Sequence, residues 1–170
     1  MEYTFTLKYQ LADDDCDPDV LVERLGEAGC DDALVGLGQP GRLALEFTRE
    51  AADADEAVRS ALADVNRATP SAKLIEVAPD LVGLTDVADI VGVSRQNMRK
   101  LMLAHPGSFP APVHEGSASL WHLADVLAWL QAKGSYALAK DVFDVARVAL
   151  QVNVATEGRQ LPRSASTALE

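Results

Sequence analysis

Residues 84–101, LTDVADIVGVSRQNMRKL, carry the pattern that decides how the second half of this chain folds. Small or apolar residues recur at helical spacing on both sides of Gly92. Gly92 can adopt a positive φ and close a tight turn. The pattern predicts two short helices that cross closely, which is the helix-turn-helix motif. The small or apolar residues are Val87, Ala88, Ile90, Val91, Val93, Met98 and Leu101.

The second predicted helix, residues 95–104, has a polar outer face. Ser94 is expected to cap it, and Thr85 to cap the first helix. Arginine can donate two hydrogen bonds to guanine, glutamine and asparagine can pair with adenine, and lysine and serine suit phosphates. The alternative is the ordinary polar face of a helical hairpin. The residues predicted to contact DNA here are Thr85, Ser94, Arg95, Gln96, Asn97, Arg99 and Lys100.

A proline-rich stretch, HPGSFPAPV at residues 105–113, ends the second helix. Residues 113–114 and 120–121 are then expected to pair as two short strands around the turn at 115–119, forming a small wing. Trp121 is expected to pack into the core. A further helix from about Leu123 places Val126, Leu127, Trp129 and Leu130 inward.

Residues 81–133 resemble the winged helix-turn-helix of the AlpA, excisionase and MerR group of bacterial DNA-binding proteins. The resemblance rests on residues 84–101, FPAP at 109–112, Trp121 and DVLAWL at 125–130. It implies that the second helix enters the major groove, and that His114, Ser117 and Ser119 lie in a wing touching the DNA backbone or minor groove. Wings of this group often carry arginine or lysine, whereas this one carries Glu115.

Residues 1–80 predict a separate unit of alternating strands and helices. The first strand alternates Tyr3, Phe5 and Leu7 with polar residues, and later segments give the order strand, helix, strand, strand, helix, strand. That order is the split βαβ, or ferredoxin-like, plan. The predicted fold class is therefore α+β: a ferredoxin-like domain, a winged helix-turn-helix at 81–134 and a C-terminal helix. Residues 1–80 are expected to be a regulatory, partner-binding or oligomerisation module, and the plan by itself does not decide among these because it hosts many functions.

Charge is distributed unevenly along the chain. Of a formal net charge of −11, residues 1–80 account for the whole excess, with 18 acidic and 7 basic residues. Residues 81–134 are neutral, with 4 of each sign. The acidic half is therefore expected to stay away from phosphates, and a protein partner is an alternative use for it. Overall acidity does not exclude DNA contact by the neutral segment.

The C-terminal part divides into a helix at 135–155 and a tail at 156–170. The helix has an apolar stripe stepping by four and three residues, and a stripe this broad must be buried. It is predicted to pair with a second copy, making a homodimer; the alternative is that it covers the chain's own core. The tail is predicted to be disordered, or to become ordered only on contact with a partner. The residues of the predicted dimerisation face are Leu138, Val142, Val145, Ala149 and Val152.

Other chemistry is weakly indicated. His105, His114 and His122 lack a nucleophile or ligand set, and Cys16 and Cys30 lack metal-ligand spacing. The expectations are no enzyme activity, no cofactor, no metal, no membrane segment or signal peptide, and a reduced cytoplasmic location. The predicted function is a sequence-specific transcriptional regulator reading double-stranded DNA. The alternatives are an antitoxin-like interaction module that also autoregulates, or a phage-type excisionase with an architectural role.

Overall fold

The computed structural model describes residues 1–13, 17–134 and 136–169, with side chains to residue 160. Cys16, one of the two thiols considered above, lies outside the described residues. Within them the chain is a mixed α+β protein with six helices and a four-stranded antiparallel sheet. In chain order the elements are β1 (Glu2–Gln10), α1 (Pro18–Glu27), β2 (Ala33–Gly36), β3 (Arg42–Glu50), α2 (Ala54–Ala68), β4 (Lys73–Ala78), β5 (Leu81–Val82), α3 (Leu84–Val91), α4 (Arg95–Ala104), β6 (Trp121–His122), α5 (Leu123–Lys133) and α6 (Lys140–Leu169).

The first six elements follow the predicted order and build the larger sheet. Its strand order is β2-β3-β1-β4, and every neighbouring pair is antiparallel. The alternation of β1 turns Phe5 and Leu7 to a face that is almost fully buried. Phe5 pairs in register with Phe47 of β3, and their rings stack with centroids 5.4 Å apart. This face, covered by α1 and α2, is the first hydrophobic core.

The elements from β5 to α5 enclose a second core. Val87 and Ala88 of α3, Met98 of α4 and Trp121 of β6 are all buried in it. The helix predicted from about Leu123 is α5, and Val126, Leu127 and Leu130 are buried, with Trp129 partly exposed. Two hydrophobic cores therefore follow one another along the chain.

Helix α6 packs on both units at once. Val145, Ala149 and Val152 are 2%, 0% and 5% exposed in the first core, while Phe143 and Ala146 are buried in the second. The predicted dimerisation face is therefore wrong for these three residues, because the chain's own sheet and α2 already cover them. Leu138 and Val142, the other two members, are half-buried against the second core. The alternative prediction, that this helix covers the chain's own core, holds for these residues.

The C-terminal region also differs from expectation. Residues 156–169 were predicted to be a disordered tail, but α6 continues through them to Leu169. Extending a helix costs far less than nucleating one, and the packed turns at 143–152 supply the nucleus for the turns that precede Pro162. Thr156 supports the continuation locally, since its Oγ1 donates to the carbonyl of Val152 at 2.8 Å.

A polar junction joins α6, the sheet and the second unit. The Asn153 amide accepts from the Val77 N–H at 2.8 Å and donates to the Val77 carbonyl at 2.9 Å, so it occupies the free edge of β4 as another strand would. Its nitrogen also donates to Asp80 Oδ2 at 2.8 Å. Asp80, 1% exposed, has its other oxygen 2.6 Å from His122 Nδ1, and its carbonyl accepts from the Leu123 N–H at 2.7 Å. The junction fixes the second unit against the first.

Candidate nucleic-acid interface

The turn between α3 and α4 is built by Gly92 and Ser94. Gly92 has φ +83°, in the left-handed region that favours glycine, and its N–H donates to the Ala88 carbonyl at 2.8 Å. Ser94 caps the next helix: its Oγ accepts from the Asn97 N–H at 3.1 Å. Helix α4 therefore begins at Arg95, the first residue of the predicted range 95–104, with a fixed entry angle.

The cap of α3 differs from the prediction. Gly83 is the N-cap residue, and its backbone N–H donates to Asp86 Oδ2 at 3.1 Å. Thr85 lies inside the first turn of α3 and is exposed. The prediction failed because the helix starts at Leu84, two residues earlier than a cap at Thr85 requires. Thr85 keeps a place at the candidate site through its exposed side chain.

Helix α4 is sharply divided between a buried and a polar face. Met98 is 1% exposed in the second core, and Leu101 and Met102 pack beside it. The opposite face is fully in solvent. Among the residues with described side chains, none forms an ion pair with its three basic groups. The exposed residues of this face are Arg95, Gln96, Asn97, Arg99 and Lys100.

A groove of about 530 Å³ runs between α4, the start of α3 and the 115–119 turn. Arg95 and Arg99 line it from α4, and Thr85 lines it from α3. Ser117 and Ser119 line it from the turn. Five of the ten residues predicted to contact DNA, from three sequence segments, thus meet at one concave surface. Gln96, Asn97 and Lys100 are exposed outside the groove lining.

The turn beside α4 is a narrow hairpin held by a buried tryptophan. The Val113 N–H donates to the Leu120 carbonyl at 2.7 Å, and the Leu120 N–H donates to the His114 carbonyl at 3.0 Å. Trp121 pairs with Val82 of β5 instead of continuing the hairpin. The predicted strand 120–121 is therefore shared between two partners, because β5 supplies a longer antiparallel neighbour.

Trp121 is 5% exposed, as predicted, and anchors this hairpin. Its Nε1–H donates to the Pro110 carbonyl at 2.9 Å, which ties the proline-rich stretch to the second core. Its ring also meets the edge of the Phe109 ring, with centroids 6.2 Å apart. The FPAP stretch is therefore held under the groove by an aromatic contact and a hydrogen bond.

His114 is exposed, but the structure does not bring it to the groove. A Cβ at Gly116 would lie 2.8 Å from His114 Nε2, so the imidazole lies over the glycine within the hairpin. A side chain at residue 116 would require this exposed imidazole to move aside. His114 therefore serves the hairpin's own packing in this arrangement.

Two acidic residues lie close to this surface. Asp86 lines the groove and Glu115 is exposed in the turn. A phosphate would be repelled by either carboxylate unless it approached along α4. The basic side of the groove is thus narrow and limited to one helix.

Other chemical sites are few. In the described part of the chain no group of three or more His, Cys, Asp and Glu side chains is arranged to hold a metal ion. Cys30 is 3% exposed, and burial, reinforced by the Asp64 charge, raises the pKa of its thiol to about 11, so it is an unreactive neutral thiol at neutral pH. None of the described helices has the length and apolar character needed to cross a membrane.

Comparison with protein-family models, with curated proteins and with solved structures gives no match for this chain. A functional proposal for this chain therefore rests on the positions and contacts of its own residues. Sequence reasoning missed Asp80 and Asn153, the centre of the junction, and Met102 in the groove lining. A lone aspartate after a proline and an asparagine in an amphipathic helix give no pattern that links them across 73 residues.

Proposed function

We propose that the chain is a sequence-specific DNA-binding transcriptional regulator that reads the major groove with α4. The observation that carries the proposal is the free basic face of this helix. Arg95, Arg99 and Lys100 are exposed and without ion pairs among the described side chains, on a helix whose first turn Gly92 and Ser94 position. Unpaired cations can replace counterions at phosphates, and arginine can donate two hydrogen bonds to guanine.

The architecture that goes with this function is a winged helix-turn-helix at 81–134 of the AlpA, excisionase and MerR type. The hairpin beside α4 and the groove shared by Arg95, Arg99 and Ser117 support it. Residues 1–80 are then a ferredoxin-like regulatory or interaction domain. The strand order β2-β3-β1-β4, with helices after β1 and β3, supports that part.

Affinity of one copy for DNA is expected to be modest. Counterion release scales with the number of phosphates neutralised, and α4 offers three clustered bases. Two copies on a repeated site would add their contacts. Because Val145, Ala149 and Val152 are covered within the chain, such pairing would use a surface other than that stripe of α6.

The direct test is a gel shift with the DNA upstream of the chain's own gene, in excess unrelated DNA. Wild type is expected to shift the fragment, and the Arg95→Ala/Arg99→Ala double variant to lose the shift. The slope of log affinity against log salt is expected to fall by about 2 in the double variant. Filter binding at several salt concentrations measures that slope.

The matched control is Arg59→Ala/Arg67→Ala, which removes two exposed arginines from α2 and changes net charge equally. It is expected to bind like wild type, since both arginines already pair with Asp55 and Asp64. Equal loss in both double variants would indicate a non-specific charge effect. No shift by wild type at low salt would contradict DNA binding.

A further inference from the structure

A cavity of about 420 Å³ lies where the sheet, α3 and α6 meet. Ile90 reaches it from α3, Val142 and Val145 from α6, and Phe5 from β1. None of the described side chains that line it is charged. Phe5 and Val145 are 1% and 2% exposed, so a molecule touches them only by entering the cavity. The walls come from both units and from α6, which packs on both of them.

The edge of β1 adds hydrogen-bonding groups to this apolar space. Strand β4 ends at Ala78, opposite Thr6, so in the described part of the chain β1 has no strand neighbour on that side at Thr4. Val77, opposite Leu7, turns its N–H and carbonyl away from β1 to Asn153. By the alternation of an antiparallel ladder, the peptide groups of Thr6 and Thr4 point towards the β4 side. Thr4 therefore offers a donor and an acceptor at the cavity wall.

We propose that this cavity is a binding site for an uncharged small molecule with an apolar body and one hydrogen-bonding group. Its volume falls in the range of small-molecule pockets, about 300 to 1,000 Å³, and apolar walls with few polar groups are typical of them. A charged ligand would lose its hydration without gaining an opposite charge among the described lining residues.

A molecule bound in this cavity would contact helix α3, which packs against α4. Ile90 belongs to α3, whose Val87 and Ala88 pack with Met98 of α4 in the second core. The ligand would thus touch the element that positions the basic face. The site itself does not depend on DNA binding by α4, so the two proposals can fail separately.

The test is a fluorescence titration of the full chain with N-phenyl-1-naphthylamine, an uncharged aromatic dye with a single N–H donor. Wild type is expected to give a saturable increase at one site per chain. Ile90→Lys places a charge at the rim, and Val142→Trp fills the space from a half-buried position. Each is expected to weaken the dye's affinity by about tenfold or more.

Two control variants place the same charge elsewhere. Leu34→Lys changes a side chain 73% exposed on β2, and Leu81→Lys changes one 43% exposed at the neighbouring cavity beside His122. Both are expected to bind the dye like wild type. The proposal is overturned if wild type gives no saturable signal, if Ile90→Lys keeps its affinity, or if Leu81→Lys loses as much. Thermal unfolding checks each variant, and Ile90→Lys decides if Val142→Trp does not fold.

Discussion

Helices α4 and α6 differ in whether the face predicted to contact another molecule is exposed or buried. Each has one face expected to contact another molecule. The polar face of α4 is exposed, whereas the apolar stripe of α6 is buried against the chain's own sheet and α2. An apolar stripe must be covered by something, and local sequence does not say by what. A polar stripe with unpaired bases has no such requirement and stays in solvent.

The arginines show the same contrast. Arg49 is 9% exposed, and its guanidinium donates to both oxygens of Asp32, at 2.7 and 2.9 Å, and pairs with Asp64 at 2.9 Å. The hydrogen bonds from Arg49 hold the pKa of Asp32 below its ordinary value of 3.8, despite partial burial. Arg95 and Arg99 are exposed, and no described side chain pairs with them. Only unpaired arginines remain available to a phosphate or a base.

The largest effect is expected from Ala149→Asp in α6. Residue 149 is 0% exposed, so the new carboxylate would be buried without a partner, and stability should fall by about 3 kcal/mol or more. Val154→Asp, 57% exposed on the same helix, should change stability by about 0.5 kcal/mol or less. Urea unfolding compares the two. A folded Ala149→Asp chain with wild-type stability would mean that α6 does not cover the core.

The next effect concerns the edge of β4. Asn153→Ala leaves the Val77 N–H and carbonyl and one Asp80 oxygen without their partner, which should destabilise the fold by about 2 kcal/mol. Asn66→Ala makes the same change on the exposed surface of α2 and should have little effect. Hydrogen exchange of the Val77 amide gives a local measure. Unchanged protection of that amide would show that the Asn153 side chain does not hold the Val77 N–H.

A smaller effect, dependent on pH, is expected from Asp32→Asn. Because folding lowers the pKa of Asp32, its ion pair stabilises the fold above the ordinary pKa, and this contribution is lost as pH falls through the folded pKa. The difference in stability between wild type and Asp32→Asn should therefore be present at neutral pH and shrink as the pH falls below the ordinary pKa of 3.8. Urea unfolding at a series of pH values measures it.

The matched control for this pH series is Asp55→Asn. It removes a carboxylate from an exposed pair with Arg59 and should differ little from wild type, since exposed pairs contribute little. If the difference in free energy of unfolding between wild type and Asp32→Asn stayed constant across the acid range, the ion pair between Asp32 and Arg49 would be contradicted.

The smallest effect on stability is expected from Arg95→Ala/Arg99→Ala. Both side chains are exposed and unpaired among the described residues, so the free energy of unfolding should change by about 0.5 kcal/mol or less. The same variant is expected to lose the gel shift, which separates binding from folding. A loss above about 1 kcal/mol would mean that this face of α4 supports the fold.

Much of the local structure could be predicted because it rests on short-range rules. The left-handed turn at Gly92, the Ser94 cap and the start of α4 at Arg95 all depend on residues within four positions. The strand alternation of β1 works in the same way. The pairing of Trp121 with Val82 escaped prediction, because two-residue strands have no periodicity to detect. So did the Asp80, Asn153 and His122 junction, whose members lie far apart along the chain.

The sequence by itself determined the order of the elements, the two units and the polar face of α4, since each follows from periodicity, capping and charge over short distances. Only the tertiary structure decided what covers each face. It placed the α6 stripe on the chain's own sheet, joined Asn153 to the edge of β4, and gathered Arg95, Arg99, Ser117 and Ser119 around one groove. Burial and long-range pairing depend on which surfaces meet in three dimensions, and a local pattern fixes only the face that needs a partner.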